Sequence, residues 1–239
     1  MQNEVVTYEA DGLMMKSQLF FEPATQPRAG VLIFPEAFGL GAHVISRAKR
    51  LAGLGYVALA CDVHGDGLLI ADLSEAMERL QPIYTDTSRM RARARGALDA
   101  LSKRQEVNPS KVASIGYYLG GTMSLELARS GADIKAVAGF HSGLATTAPK
   151  SDAKAIRARI LVCIGADDPF ISAQERAAFE SEMRDAGVDW QMHVYGGTVH
   201  SFTNVEADGR GKLNEMRYSA ASDARSWAAM QSLFGETLA

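Results

Sequence analysis

The stretch Ser114-Ile115-Gly116-Tyr117-Tyr118-Leu119-Gly120-Gly121-Thr122 sets Tyr118 between two glycines, each two positions away. This G-x-nucleophile-x-G spacing belongs to a sharp strand-to-helix turn, where glycine relieves clashes with neighbouring backbone. The turn puts its central residue at a helix N-terminus, whose free N–H groups can hold a developing oxyanion. Two further stretches supply partners. Ile160-Leu161-Val162-Cys163-Ile164-Gly165 runs into Ala166-Asp167-Asp168-Pro169-Phe170, and Val194-Tyr195-Gly196-Gly197-Thr198-Val199 runs into His200. The first is a buried strand running into an acidic turn, the second a strand and a Gly-rich loop, and the order is nucleophile position, acid, histidine. An acid that orients a histidine, and a histidine that takes a proton from a nucleophile, are what attack on a carbonyl needs. Either Asp167 or Asp168 could be the inward acid, and Asp-Asp-Pro also suits the first turn of a helix over 172–186.

Such segments meet only if strands deliver them to one edge of a sheet. Residues 4–9 and 13–21 flank Asp11-Gly12, a pair suited to the positive φ angles of a hairpin turn. Apolar strand-like runs follow at 31–34, 56–61, 111–116, 135–140, 159–165 and 189–195. Helical periodicity is expected near 44–54, 73–81, 87–103, 119–130, 172–186 and 214–234. Strands alternating with amphipathic helices imply right-handed βαβ units and a mostly parallel sheet. In such sheets the working groups collect at the carboxyl ends of the strands. The segment 142–155 is the loosest, but too short to act as an interdomain linker, so a single domain over 1–239 is expected.

Composition excludes several other classes. The chain has 239 residues, 47% hydrophobic and 22% charged, which rules out a disordered or low-complexity polymer. Basic and acidic residues number 25 and 28 with no block of either, so no nucleic-acid partner is expected. The longest apolar stretches, such as Val57 to Cys61, are far too short to span a membrane. The opening Met1-Gln2-Asn3-Glu4 has no basic start leading into an apolar core, and a cytoplasmic location is expected. Cys61 and Cys163 sit in strand-like runs, without disulfide or zinc spacing. His43, His141 and His193 likewise have no metal-ligand spacing, and no cofactor or metal is implied. No coiled-coil pattern or apolar stripe is present, so a monomer or small homo-oligomer is expected.

Together these stretches resemble the dienelactone hydrolase family, a branch of the α/β-hydrolases, over essentially the whole length. The carriers are Pro35-Glu36-Ala37-Phe38-Gly39, Gly116 to Gly121, Gly165 to Phe170 and Tyr195 to Asn204. The resemblance implies an α/β-hydrolase fold: a mostly parallel central sheet, helices on both faces and an N-terminal antiparallel hairpin. It implies Asp168 as triad acid, His200 as base, and the N–H groups of Ala37 and Leu119 as oxyanion hole. Glu36 matches the family acid that contacts the resting nucleophile, and Glu36 and Phe38 would meet the substrate, a small ester or lactone. From the residues alone, Glu36 could equally hold a loop together.

The sequence departs from that family at two places. The elbow usually carries Cys, and here it carries Tyr118. A free phenol ionises near pH ~10 and its ring carries the oxygen well beyond the place of a sulfur. Three readings follow: a substitution on a Cys-dependent hydrolase, a non-catalytic relative that binds a small carbonyl compound, or a changed mechanism using water or the phenol. Neither Cys61 nor Cys163 can substitute, and Ser142 and Ser201 lie near site loops without an elbow. In addition, Asn204 stands where the founding members have an arginine that helps bind a substrate carboxylate. Elsewhere, His64 and Asp66 lie past a strand end, where a glycine-rich loop with solvated polar groups is the plainer reading. Arg89, Arg91, Arg93 and Arg95 are expected on a solvated helix, Arg91 and Arg95 on one face and Arg89 and Arg93 on another.

Overall fold

The computed structural model describes residues 1–239. Strands β1 (Gln2–Ala10) and β2 (Leu13–Phe21) pair antiparallel across Asp11-Gly12. Both turn residues have positive φ, 52° and 70°, which matches the right-handed twist of the flanking strands. Then follow β3 (Arg28–Phe34), β4 (Val57–Ala60), β5 (Val107–Tyr117), β6 (Ala136–Phe140), β7 (Arg159–Gly165) and β8 (Trp190–Tyr195). They form one eight-stranded sheet in the order β1-β2-β4-β3-β5-β6-β7-β8. The six strands from β4 to β8 in that order run parallel, and β2 joins β4 antiparallel. This is the α/β-hydrolase architecture expected from the alternating pattern.

Helices α2 (Leu73–Thr85), α3 (Thr87–Ser102), α4 (Leu119–Arg129) and α5 (Ala173–Ala186) cover one face. Their Leu80, Ala94, Leu125 and Phe179 pack with Leu32, Leu59, Val137 and Val162 of the strands. The other face is covered by α1 (Ala42–Gly53) and α6 (Ala220–Thr237), whose Val44, Leu51, Trp227 and Met230 meet Val31, Ile33, Ala113 and Leu161. Strands buried on both faces read as continuous apolar runs, which is why they were legible. Each Val, Leu or Ile removed from water there contributes about 1.5–3 kcal/mol.

Two helices differ from the periodicity. Helix α2 continues past residue 81 through Pro82, because the proline removes only one backbone donor and Ile83 beyond it is buried. It stops at Asp86, whose carboxylate accepts from Ser88 N at 2.9 Å and caps α3. Helix α6 starts six residues later than expected. The preceding backbone is used by the His200 loop: Arg217 N donates to the His200 carbonyl and Ser219 N to that of Phe202, both at 3.0 Å. Ser219 then caps α6. Short 3-10 turns occupy Lys150–Ala155, within the segment expected to be loosest, and Val205–Arg210, to which the sequence assigned no element.

The arginine run of α3 is a cross-brace rather than a solvated face. Arg89 and Arg93 Nε each donate to Asp11 at 2.9 Å, pinning the hairpin turn to the helix. Arg93 is buried. On the other face, Arg91 pairs with Glu126 and Asp152 at 2.9 and 2.7 Å. The periodicity gave the faces correctly; what it could not give was the acid waiting on each.

The elbow rests on two glycines that allow close backbone approach. A Cβ on Gly116 would lie 2.0 Å from the Gly120 carbonyl carbon, and one on Gly120 would lie 2.1 Å from the Phe34 carbonyl oxygen. Both clashes are with backbone, so no side-chain rotation relieves them. Gly120→Ala is therefore expected to destabilise by at least ~3 kcal/mol in urea unfolding. Gly53→Ala, where a Cβ meets nothing within 4 Å at the end of α1, is expected to be neutral or to stabilise by up to ~1 kcal/mol.

Candidate active site

Four loops at the carboxyl edge of the sheet converge: those after β3, β5, β7 and β8. Tyr118 follows β5 with φ 53° and ψ −116°, a conformation that costs a non-glycine residue about 1–3 kcal/mol. Its own N–H donates to the Phe140 carbonyl at 3.0 Å, which anchors the turn to the neighbouring strand. Leu119 opens α4, and as a first-turn N–H its amide has no intrahelical partner. The Ala37 N–H, after β3, is also free of any backbone acceptor. The glycine contacts between α4 and β3 bring these two free donors toward the same space.

Of the two adjacent acids after β7, Asp168 is buried and Asp167 exposed. Asp168 Oδ2 accepts from His200 Nδ1 at 2.8 Å, and its Oδ1 accepts from Phe170 N at 2.9 Å. With Nδ1 donating to a carboxylate, His200 keeps Nε2 as the free acceptor. Phe170 packs edge-on to the imidazole at 5.0 Å between centroids.

Tyr118 is brought to His200 but not hydrogen-bonded to it. The two rings stand perpendicular with centroids 5.2 Å apart. The Tyr118 phenol instead lies beside Tyr84 of α2, whose buried hydroxyl finds no partner of good geometry. Burial first, and then the Tyr118 hydroxyl, push the Tyr84 phenol far up. The cysteines stay apart from this edge; burial pushes Cys163 up to about 12.

Glu36 makes no hydrogen bond to Tyr118 either. Its Oε1 accepts from Ser201 Oγ at 3.0 Å, and its Oε2 from Asn204 Nδ2 at 2.7 Å and Arg210 at 3.0 Å. Phe38 lies under Arg210, the guanidinium carbon 4.7 Å from the ring centroid. The arginine absent at 204 is thus matched by one six residues on. Asn204 helps place it: its Oδ1 accepts from Glu206 N at 2.9 Å, capping the turn that carries Arg210 back.

His64 and Asp66 have different fates. His64 is buried, with Nε2 2.8 Å from the Ala37 carbonyl, so it steadies the segment that offers the Ala37 N–H. The solvated reading fails for it because Asp62 folds the loop inward, accepting from the N–H groups of Lys16, His64, Gly65 and Gly67. Asp66 is exposed and pairs with Lys16. Sequence reasoning also passed over His141 and His43. His141, φ 42°, is buried 5.1 Å from the His200 ring and bonds Thr203 Oγ1 at 2.9 Å. No group of three or more His, Cys, Asp or Glu side chains is arranged to hold a metal ion.

The cavity holding Tyr118 and His200 measures about 260 Å³. Phe38, Leu73, Met77, Phe170 and Met216 give it apolar walls, and Arg210 and Lys212 add positive charge. A space of this size and lining suits a small, largely apolar molecule.

Burial sets how this edge responds to acid. Burial would raise the Glu36 carboxyl, but His43, His141 and the Arg210 guanidinium outweigh it and hold the group at about 2. Burial lowers His43 to about 4 and His141 well below its usual 6.5. In every case the unfolded chain binds protons that the native one refuses, so stability falls as pH falls. Loss should begin near pH 6.5, the ordinary histidine value, and a second stage should open below the ordinary carboxyl value of 4.5. Urea midpoints measured against pH are expected to show both stages. Glu36→Gln should flatten the lower stage, by about 3 kcal/mol at ~1.4 kcal/mol per unit.

Comparison with known proteins identifies the family. The sequence pattern of the dienelactone hydrolase family matches residues 17–238. The chain superposes on the crystal structure of a dienelactone hydrolase-like promiscuous phosphotriesterase, P91, from metagenomic libraries. The TM-score is 0.94 with 41% identity, covering 100% of this chain and 99% of that one. A probable 2-oxo-3-(5-oxofuran-2-ylidene)propanoate lactonase of a Bradyrhizobium species is 28% identical over 72% of each chain. A carboxymethylenebutenolidase of Pseudomonas putida is 26% identical over 78% of this chain and 80% of its own. With an elbow, a buried acid–histidine pair and a family pattern that spans nearly its whole length, the chain belongs to the dienelactone hydrolase family.

Proposed function

We propose that this site cleaves carboxylic esters or lactones, and that Tyr118 holds its covalent route down in this form of the chain. The observation that carries the reading is the Asp168–His200 pair, bonded at 2.8 Å with Nε2 left free beside the elbow. Asp168 holds the imidazole in the tautomer whose Nε2 accepts a proton. The N–H groups of Ala37 and Leu119 receive the carbonyl oxygen as it becomes an oxyanion. Glu36 keeps the loops in place, and Phe38 forms one wall against which the substrate lies.

A nucleophile in the elbow would give its proton to His200 Nε2 and attack the carbonyl carbon. The tetrahedral oxyanion would collapse as His200 returns the proton to the departing alcohol, and water, deprotonated by His200, would free the acid. Tyr118 breaks this sequence at its first step, since its ring stands perpendicular to the imidazole with no hydrogen bond between them. The same ring occupies space that an acyl group would need. In this form the site binds small carbonyl compounds and turns them over slowly. Relatives of this chain include a probable lactonase and a promiscuous phosphotriesterase by name, so an activated phosphotriester belongs beside the esters in any assay.

Hydrolysis of an activated aryl ester and a small enol-lactone by the chain and by Tyr118→Cys is the deciding comparison. The Cys variant is expected to be at least ~100-fold faster in kcat/KM, a difference of about 2.7 kcal/mol in the barrier. His200→Ala in that variant should remove the gain. Equal turnover by the Tyr and Cys forms would overturn the account of the elbow, and gain that survives His200→Ala would overturn the role of the base.

A further inference from the structure

Beside the cavity that holds Tyr118 and His200 lies a second one of about 290 Å³, walled by Pro35, Val44, Leu69 and Ile70 and reaching His43. Glu36, Phe38 and Arg210 line both cavities. Glu36 is buried and held by three donors, so it cannot swing aside. The movable groups of the dividing wall are therefore the half-buried Phe38 ring and the Arg210 guanidinium stacked on it at 4.7 Å. One cation–π contact and one charge-assisted hydrogen bond to Glu36 keep that wall closed.

Phe38 directly follows Ala37, whose N–H would receive the carbonyl oxygen. A long substituent on a carbonyl held there has the Phe38 ring as one of its walls. We propose that the cavity behind Phe38 is a second subsite, which takes the uncharged alkyl or aryl end of the substrate, and that Phe38 and Arg210 set how long that end can be. The inference rests on the hydrolase reading of the neighbouring cavity. The walls favour an apolar occupant: four of them are aliphatic or proline, the Glu36 charge is already neutralised by Arg210, and Glu206 on the lining is exposed to solvent. A charged end would lose its water there and find no free counter-ion.

The test uses p-nitrophenyl acetate, butyrate and octanoate in the Tyr118→Cys form, with and without Phe38→Ala. Each methylene that becomes buried is worth about a factor of three to four. The octanoate-to-acetate ratio of kcat/KM is expected to rise at least ~10-fold in Phe38→Ala. Adding Ala71→Trp, at an exposed position on the second cavity's lining, should return the ratio toward its starting value. An unchanged ratio, or a gain that survives Ala71→Trp, overturns the subsite. Calorimetric titration of the Tyr118 chain with short and long methyl ketones gives the same comparison without turnover. Chain-length selectivity in ketone binding with no ester hydrolysis by any variant would sink the hydrolase reading and keep the subsite. Ester hydrolysis with no such selectivity would do the reverse.

Discussion

The hydrogen bond from Ser201 to Glu36, 3.0 Å long and buried, sets the geometry of the whole edge. Glu36 is the residue before Ala37, and Ser201 is the residue after His200. One bond therefore sets the distance between a free backbone donor on the β3 loop and the imidazole on the β8 loop. The bond has to be strong, because Ser201 sits at φ 53° and pulls against backbone preference. A buried carboxylate with fewer partners would cost several kcal/mol, so the remaining donors, Asn204 and Arg210, follow from the first. The loop from 201 to 210 is shaped by the need to satisfy one charge.

The elbow works under the opposite constraint. At Glu36 polar atoms pull loops together; at Gly116 and Gly120 the absence of side chains lets backbone come close. A Cβ at either position would fall within about 2 Å of main-chain atoms, so α4 could not start where it does. The strain at Tyr118 is offset by the packing of Met123, Leu125 and Leu127 from the helix that begins there. Moving the helix start by even one residue would take the Leu119 N–H away from the loop that bears the Ala37 N–H. Precision at the site thus depends on core packing at one side and on a buried ion pair at the other.

What the sequence showed and hid follows from the range of the interactions concerned. The strands from Val31 to Ile164 were legible because burial on both faces leaves an unbroken apolar signal. Asp11-Gly12 was legible because turn chemistry is local. The buried role of His64 was not, since it depends on Asp62 gathering four N–H groups, and one of them comes from Lys16 far back in the chain. Arg93 looked solvated for the same reason: its acid lies in the first hairpin. Helix α6 was set too early because the stretch before it has helical composition, yet its backbone is taken by the His200 loop. Arg210 lay within a run of Gly, Asp and Glu with no periodicity, and nothing local marks it as the cation that faces Glu36.

The polar groups at this edge are poor contributors to stability, and that bears on how they are read. A buried acid–histidine pair such as Asp168–His200 gives a fold less than apolar residues of the same size would. The same holds for the buried Glu36 carboxylate, and for a strained residue at 118. Packing alone accounts for none of them. These costs gather at the carboxyl edge of the sheet, where Glu36, Tyr118 and His200 line one cavity. A purely structural edge would have been better filled with leucine. Tyr118 stands in that cavity edge-on to His200 without a hydrogen bond to it.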